Sequence, residues 1–322
     1  MATFQLRSAT PDDTATIFQL IQTLAEYEKL AHEVTGSLDQ LQAALFGDRP
    51  AAEVLLADVE GEAAGFALFF PTYSSFEGKP GIYLEDLFVR PTFRRQGIAK
   101  ALLSRLAKLV LERQGCRLEW AVLDWNISAI EFYQRIGAEQ LGHRCLCRLT
   151  GDTLSSLAER GRTQVVRAPQ PRDVREMVSV LQQNAEFHGS GDRFLLTSGL
   201  LERAVFESPP SLEVVLAEMN AQICGIGTFY TNFSTFLTQA GLHLDDLLVQ
   251  SGNRRQGFGT SLLVQLARTA VKRQAGRLEW YVYRDNHEAI AFYQQLGAKQ
   301  LPEWIPNRVS ERALVNLARG VV

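Results

Sequence analysis

The sequence has no long apolar run, little cysteine and no marked excess of charge of one sign. Its 322 residues include four cysteines, and 33 Lys and Arg stand against 36 Asp and Glu, for a net charge of -3. The most apolar stretch, GFALFFP (65–71), is far too short to span a bilayer. The amino terminus, MATFQLRSATPDD, lacks the basic and apolar regions of a signal peptide. We therefore expect a cytoplasmic protein.

These shortages also exclude several classes of function. No block of like charge forms the basic stripe that nucleic-acid binding requires. Cys116, Cys145, Cys147 and Cys224 form no Cys-x-x-Cys pair, and no histidines are clustered at zinc spacing, so no metal is suggested. We expect a small-molecule partner, with no nucleic acid and no membrane.

What the sequence does contain is a repeat of 160 residues. FRRQGIAKALL (93–103) returns as NRRQGFGTSLL (253–263), and the same offset relates Trp120 to Trp280 and Gly137 to Gly297. A period of this length fits a complete domain that occurs twice. We therefore predict two domains, residues 1–160 and 161–322, which are called the first half and the second half below.

Each half has the same predicted order of elements. In the first half these are a strand (3–10), two helices (11–29 and 37–47), a hairpin (52–73), a buried strand (81–90), an amphipathic helix (94–115), a strand (117–123), a short helix (126–137) and a last strand. Strands that are first antiparallel and then joined through helices predict an α+β fold. Each half would be a mixed, mostly antiparallel sheet flanked by helices, and the two would form a pseudo-dimer that could oligomerise further.

A basic turn lies between the buried strand and the amphipathic helix of each half. Gly97 and Gly257 would let a phosphate approach the backbone closely, where free N–H groups and the positive helix end attract it. Four arginines add charge suited to phosphate oxygens: Arg94, Arg95, Arg254 and Arg255. The turn is not a nucleoside triphosphate loop, because no Gly-Lys-Ser/Thr is present. Taken alone, it predicts either a phosphate site or a solvated basic helix start.

With its neighbours, the turn resembles that of the GCN5-related N-acetyltransferase (GNAT) superfamily, and the resemblance covers both halves. RRQGIA and RRQGFG match the family's acetyl-CoA motif, Arg/Gln-x-x-Gly-x-Gly/Ala after a strand. NISAIEFYQRIGA and NHEAIAFYQQLGA are similar to its Asn-x-x-Ala-x-x-Phe-Tyr-x-x-x-Gly helix. LAEYEKLAHEV and YSSFEGKPGIYLEDLFV are similar to the spermidine/spermine and thialysine acetyltransferase branch.

The resemblance implies an acetyl-CoA (coenzyme A) site in each half. In the first half it assigns coenzyme contacts to Phe88, Val89, Arg94, Arg95, Gly97, Ala99 and Asn126. The matching residues of the second half are Leu248, Val249, Arg254, Arg255, Gly257, Gly259 and Asn286. From their positions alone, both asparagines cap the helices that they precede, a role that can coexist with a coenzyme contact.

Acetyl transfer to an amine needs a base for the ammonium and an acid for the departing thiolate. The resemblance makes Tyr133 and Tyr293 the acids, and a phenol stays protonated at neutral pH. It makes Glu85 the base, acting through water, with the shorter Asp245 at the matching place. The alternatives are tyrosines packed on the sheet, and carboxylates at a sheet bulge that anchor backbone.

Acidic residues distinguish the two halves. The resemblance gives Tyr27, Glu28 and Glu33 of the first half a substrate-facing place, whereas Arg193 replaces Glu33 in the second. Asp86 alternates to the strand face opposite Glu85, where it would attract a cationic substrate or meet solvent. The first half holds 21 Asp and Glu against 16 Lys and Arg. A cationic acceptor is therefore expected there.

We expect an acetyl-CoA-dependent N-acetyltransferase for a small cationic amine, polyamine or lysine-like, that is active at least in the first half. Ser75 stands where the polyamine branch tends to carry an acid, which leaves a shorter, lysine-like amine open. Other acceptors also remain open: an amino acid, an antibiotic amine or a protein amino terminus. The second half is an active site, a non-catalytic acetyl-CoA-binding module or a structural partner.

Overall fold

The computed structural model of the chain describes residues 3–187 and 191–321, apart from the side chains of Phe187 and Arg193. The elements of the first half are β1 (Phe4–Ser8), α1 (Thr14–Tyr27), α2 (Leu38–Phe46), β2 (Glu53–Val59), β3 (Glu62–Ser74), β4 (Lys79–Val89), α3 (Ile98–Glu112), β5 (Arg117–Leu123), α4 (Ile127–Arg135), β6 (Glu139–Gln140), β7 (Arg144–Thr150) and α5 (Gly151–Glu159). Those of the second half are β8 (Val165–Arg167), α6 (Val174–Phe187), α7 (Ser198–Phe206), β9 (Glu213–Met219), β10 (Gln222–Ser234), β11 (Gln239–Val249), α8 (Phe258–Lys272), β12 (Arg277–Tyr283), α9 (His287–Gln295), β13 (Lys299–Leu301), β14 (Trp304–Ser310) and α10 (Glu311–Arg319).

Local sequence signals set the ends of the helices. A 3-10 turn, Pro11–Asp13, leads into α1, and proline's fixed φ suits this place. Ser37 caps α2 by accepting a hydrogen bond from the Gln40 N–H at 3.3 Å. Asn126 and Asn286 accept from the N–H groups three residues later, at 3.4 Å and 3.1 Å. The predicted capping by both asparagines is thus confirmed.

Two seven-stranded sheets form among the described residues, and the halves exchange strands between them. Their strand orders are β1-β2-β3-β4-β5-β14-β6 and β13-β7-β12-β11-β10-β9-β8. β7 pairs antiparallel with β12 of the second half, and β14 pairs antiparallel with β5 of the first. The helices that follow the exchanged strands go with them, because α5 packs on α8 and α10 packs on α3. Each sheet is therefore completed by the other half.

The halves also share one apolar core. A single cluster of buried side chains joins Ile17 and Phe66 of the first half to Met177, Leu216 and Phe233 of the second. Two further clusters lie under the outer helices, one with α3 and α10 and one with α5 and α8. The large apolar area that this arrangement removes from water holds the two halves together.

The predicted fold class is confirmed: the two sheets are mixed, mostly antiparallel and flanked by helices, and they form an intramolecular pseudo-dimer. The boundary between residues 160 and 161 stays a prediction about the duplicated units. In space, residues 144–159 belong to the second sheet, and residues 304–319 to the first. No described helix is both long enough and apolar enough to cross a bilayer.

Candidate active site

The two parallel strands at the centre of the first sheet separate and leave an opening. Among the described residues, β4 and β5 pair only at Ile82 with Leu118 and at Tyr83 with Glu119. β3 continues to pair with β4 as far as Val89, on the other side. Beyond Tyr83, the free side of β4 lines a cavity. An extended ligand in this opening would meet backbone polar groups that no neighbouring strand engages.

This cavity has a volume of about 1160 Å³ and is built by both halves. It is lined by every residue that the sequence predicts for the first-half site: Tyr27, Glu28, Glu33, Glu85, Asp86, Phe88, Val89, Arg94, Arg95, Gly97, Ala99, Asn126 and Tyr133. None of the residues predicted for the second-half site is among those lining it. The second half contributes other side chains instead, including Thr235, Phe236 and Arg277.

The basic turn lines the cavity and requires glycine. Gly97 has φ of 87° at the start of α3, a conformation that side-chain-bearing residues rarely adopt. No described atom lies within 4 Å of a Cβ placed on Gly97, so the space in front of it is open. Arg94 donates through Nε to the Val89 carbonyl at 3.0 Å, and its guanidinium lies 4.9 Å from the centre of the Tyr27 ring. The turn is thereby tied to β4 and to the end of α1.

Tyr133 lies on the sheet side of α4 with only 8 % of its surface exposed. Its ring packs against Trp120 at 4.8 Å and Phe132 at 5.4 Å between ring centres. Burial, and then the nearby Glu28 carboxylate, raise the pKa of the phenol well above its usual value. The hydroxyl is therefore held in its protonated form, as a proton donor must be.

Glu85 sits at a β-bulge. Leu68 pairs with Asp86 and Phe69 with Leu84, so Glu85 has no partner in the β3 ladder. Arg277 of the second half donates to Glu85 Oε1 at 2.9 Å. Burial raises the pKa of the Glu85 carboxyl, and the Arg277 cation opposes that rise. The carboxylate thus sits at a sheet bulge, as one alternative predicted, and its side chain accepts a hydrogen bond from a buried cation.

Asp86 lines the same cavity as Glu85. Leu84 before this pair and Leu87 after it both pack in the cluster under α3 and α10, so the two acids share the other face of β4, which corrects the prediction that they lie on opposite faces. A bulge lets two successive residues stand opposite one, so strict alternation fails at this point. Asp86 is 6 % exposed; its Oδ1 accepts from the Thr235 hydroxyl at 3.3 Å, and its Oδ2 has no partner among the described residues. Burial, followed by the charges of Glu85 and Glu28, raises its pKa well above the usual value.

Glu28 completes a group of three carboxyls on the cavity wall. It follows α1 directly, and burial, with the Glu85 charge as a second cause, raises its pKa to about 7. The Glu28 charge also contributes, after burial, to the raised pKa of the Tyr133 phenol. Three acids in one partly enclosed space are costly unless a cation joins them. The arrangement is suited to binding an ammonium group.

Comparison with known proteins identifies the family of this arrangement. The model of the acetyltransferase (GNAT) family matches residues 18–138 and 178–298, which is most of the chain. The chain belongs to the acetyltransferase (GNAT) family. GNAT enzymes use acetyl-CoA as co-substrate, and this protein is accordingly an N-acetyltransferase.

Curated relatives match about half of the chain each. A thialysine N-epsilon-acetyltransferase from Bos taurus is 37% identical over 170 residues, which cover 49% of this chain and 99% of that protein. An L-ornithine N5-acetyltransferase from Arabidopsis thaliana is 33% identical over 198 residues, which cover 48% of this chain and 87% of that protein. The predicted similarity to the thialysine branch is confirmed.

Solved structures of GNAT proteins match the whole chain in fold. A tandem GNAT protein from the clavulanic acid biosynthesis pathway aligns with a TM-score of 0.52 at 16% identity, covering 96% of this chain and 98% of that one. A GCN5-related N-acetyltransferase from Sphaerobacter thermophilus aligns with a TM-score of 0.54 at 16% identity, covering 95% of both chains. Both comparisons support two GNAT units in one chain.

The second GNAT unit repeats the site with different partners. Asp245 also sits at a bulge, 3.7 Å from the Arg117 guanidinium of the first half. Asp246, however, accepts from the Thr228 hydroxyl at 2.9 Å, where the first half has Leu68. Tyr293 packs on Trp280 at 4.9 Å, as Tyr133 does on Trp120. The buried acid of the second unit is thus satisfied within the protein.

The space in front of the second basic turn is occupied. Gly257 has φ of 86°, as Gly97 has 87°, but a Cβ placed on Gly257 would collide with the hydroxyl of Thr163. Thr163 belongs to the segment that links the two halves. The predicted charge reversal at Arg193 rests on a side chain outside the described residues.

Three residues of the first-half site were missed because they come from the second half. Thr235 contacts Asp86, Arg277 contacts Glu85, and the Phe236 carbonyl accepts from the N–H groups of residues 35 and 36, both at 3.0 Å. The sequence gives one indication of Thr235, because this residue is the repeat counterpart of Ser75, which lies in the loop compared with the polyamine branch. Ser75, at the place where the polyamine branch tends to carry an acid, donates through its N–H to Asp245 of the second half at 3.4 Å. The loops of Ser75 and Thr235 thus each contact an acid of the other half.

Proposed function

We propose that this GNAT enzyme transfers the acetyl group of acetyl-CoA to a primary amine of a small cationic acceptor in its first half. The observation that carries the proposal is the single cavity that joins the open turn at Gly97, the protonated Tyr133 and the three carboxyls Glu28, Glu85 and Asp86. These are the components that amine acetylation requires: a coenzyme site, an acid, a base and a cation subsite.

The first half has the groups to hold the coenzyme. The N–H groups at the start of α3 lie next to the open space at Gly97, with Arg94 and Arg95 in the same turn, and this combination suits the coenzyme phosphates. The separated strand β4 offers the backbone of Phe88 and Val89 to an extended arm. Bound acetyl-CoA would supply the acetyl thioester. Ala99 and Asn126 line the same cavity and complete the proposed contacts.

The proton steps follow from the pKa directions. An amine acceptor arrives as an ammonium with a pKa near 10 and must lose a proton before it can attack. We assign that proton to Glu85 through water, because the Arg277 cation favours the carboxylate form of this buried side chain. Tyr133 then donates its proton to the sulfur as the carbon–sulfur bond of the thioester breaks, since burial keeps the phenol protonated until that step.

The acceptor is held by acids and is lysine-like. Asp86 presents an unpartnered oxygen, Oδ2, and Glu28 adds a carboxylate whose pKa is about 7. Glu33 and Tyr27 lie at the more exposed rim. The loop residue that reaches this site is Thr235, a hydroxyl rather than an acid, which favours a shorter acceptor than a polyamine. Relatives that act on ornithine and thialysine support the same class.

The experiment is thiol release from acetyl-CoA with L-lysine, thialysine, L-ornithine, putrescine, spermidine and spermine. Each acceptor is tested with the unaltered chain, with Tyr133→Phe and with the matched control Tyr293→Phe. We expect turnover with a lysine-like acceptor that falls at least 100-fold in Tyr133→Phe and stays within twofold in Tyr293→Phe. Equal losses in the two variants would contradict a single catalytic half, and no turnover with any of the amines would refute the acceptor class.

A further inference from the structure

The segment that links the two halves crosses the basic turn of the second half. The Thr163 hydroxyl lies directly against Gly257, in the position where a side chain at that glycine would stand. The next residue, Gln164, donates through Nε2 to the carbonyl of Gln256 at 2.7 Å. The equivalent space at Gly97 is free of any described atom within 4 Å. The two turns therefore share a sequence motif but differ in access.

Helix α8 holds this segment along one face. The Gln164 N–H donates to Ser261 Oγ at 3.2 Å, and Arg162 donates through Nη1 to Gln265 Oε1 at 2.7 Å. Arg268 donates through Nε and Nη2 to the carbonyls of residues 158 and 160, both at 2.9 Å. Residues 261, 265 and 268 are spaced by four and three, so they share a helix face. The link is thus held at several points rather than resting loosely on the surface.

The first half lacks these holding groups. At the three matching positions of α3 it has Ala101, Arg105 and Lys108. Alanine has no polar atom, and the two cations cannot accept a hydrogen bond as Ser261 and Gln265 do. Lysine also lacks the fork with which arginine reaches two carbonyls at once. The face of α8 is therefore specifically equipped to bind the link.

We propose that residues 162–164 act as a built-in occupant of the second coenzyme site, so that the chain binds one acetyl-CoA, in its first half. The inference rests on the proposed function, because it takes the turn at Gly97 to be a coenzyme site. A ligand phosphate must approach the glycine of this turn closely. Thr163 takes that place at Gly257, and its tether keeps its local concentration high without any partner.

The first test is the stoichiometry of coenzyme A binding by isothermal titration calorimetry, without an acceptor amine. We expect one equivalent per chain. Gly97→Asn adds bulk to the open turn with a residue that tolerates its positive φ, and it should raise the Kd for coenzyme A at least 100-fold. Two equivalents in the unaltered chain would overturn the inference and leave the proposed function intact. Full binding by Gly97→Asn would also overturn it.

The second test opens the covered turn. Ser261→Ala, Gln265→Arg and Arg268→Lys give α8 the residues of α3, and Thr163→Gly with Gln164→Gly removes the side chains over the turn. We expect this chain, once a thermal melt shows that it folds, to bind two equivalents. One equivalent would mean that the link does not close the site.

Hydrogen exchange on the unaltered chain gives a result that needs no variant. The Gln164 N–H, bonded to Ser261, should keep its protection when saturating coenzyme A is added, because the link stays in place. Faster exchange at residues 162–166 would show that coenzyme displaces the link, and would refute the inference. No coenzyme binding at all would refute the proposed function on which it rests.

Discussion

Replacing Arg277 tests whether the second half keeps the proposed base of the first half charged. Its Nη2 lies 2.9 Å from Glu85 Oε1 and 3.3 Å from Glu279 Oε1, and it donates to the Phe233 carbonyl at 2.6 Å. Only 4 % of Arg277 is exposed. In Arg277→Met, a side chain of similar length without charge, Glu279 keeps its contact with Arg148 at 2.9 Å while Glu85 loses its ion pair.

Two magnitudes follow from this geometry. Removing one partner of a buried ion pair costs about 3–5 kcal/mol of unfolding free energy. A cation within about 4–6 Å lowers a carboxyl pKa by roughly 1–3 units, so its loss should raise the Glu85 pKa by that amount. A rise of about two units leaves on the order of 100-fold less carboxylate at a pH below both pKa values, and about tenfold less where the pH lies midway between them. We expect kcat/KM at pH 7 to fall by about tenfold or more, and its acid limb to shift to higher pH.

Arg117→Met is the matched control, because the repeat places it at the same position in the first half. Arg117 lies 2.7 Å from Glu119 and donates to the Tyr73 carbonyl at 3.1 Å, but Arg117, Glu119 and Asp245 are not among the residues lining the cavity. Urea unfolding should show a comparable loss of stability in both variants, and steady-state kinetics a large loss only in Arg277→Met. Equal kinetic losses, or an unshifted pH profile in Arg277→Met, would refute the link between Arg277 and Glu85.

Three further predictions concern the acidic group and the shared core. Because burial raises the Glu28 pKa to about 7, this carboxyl is about ten times more ionised at pH 8 than at pH 6, so calorimetry with coenzyme A present should show L-ornithine binding about tenfold weaker at pH 6. Glu28→Gln should remove that difference, and a difference that persists in this variant would exclude Glu28 as its cause. Asp86→Asn should raise the KM for the amine about tenfold, whereas Asp246→Asn, at the acid held by a threonine, should leave it within twofold; the reverse order would place the amine in the second half. Phe233→Ala should lower the free energy of unfolding by about 3–5 kcal/mol, and the whole chain should still melt in one calorimetric transition, at a lower temperature. Two separate transitions would contradict a core that the two halves share.

Much of the fold follows from local signals. The turn at Gly97 and the apolar period after it predict α3, and the alternating apolar residues around the Glu-Gly turn at residues 60–61 predict the β2–β3 hairpin. The repeat offset carries each prediction into the second half. Polar site residues could be predicted where they interrupt an apolar strand, as Glu85 and Asp86 do in β4. Such residues are costly to bury, so their presence indicates a role.

The exchange of β7 and β14 could not be predicted from the sequence. Both strands follow equivalent helices, and each sheet offers an equivalent slot beside β5 or β12. Local propensity is the same whether a strand stays in its own half or crosses to the other, so only the whole assembly decides. The partners of Glu85 and Asp86 were unpredictable for the same reason, since Arg277 and Thr235 lie on elements that meet the first site only after the halves associate.

This exchange explains how the second half can keep a role without a second open coenzyme turn. β14 and α10 complete the first sheet, Arg277 pairs with Glu85, and Thr235 contacts Asp86. Losing the second half would therefore expose the side of β5 and leave the carboxyls of Glu85 and Asp86 without these partners, whether or not the second half is itself catalytic. A substitution that closes the second turn is tolerable as long as the fold persists, because none of these contacts passes through Gly257. In a separate homodimer the same substitution would close both sites at once. Fusing the two copies into one chain removes that coupling, and allows one turn to be covered while the other stays open.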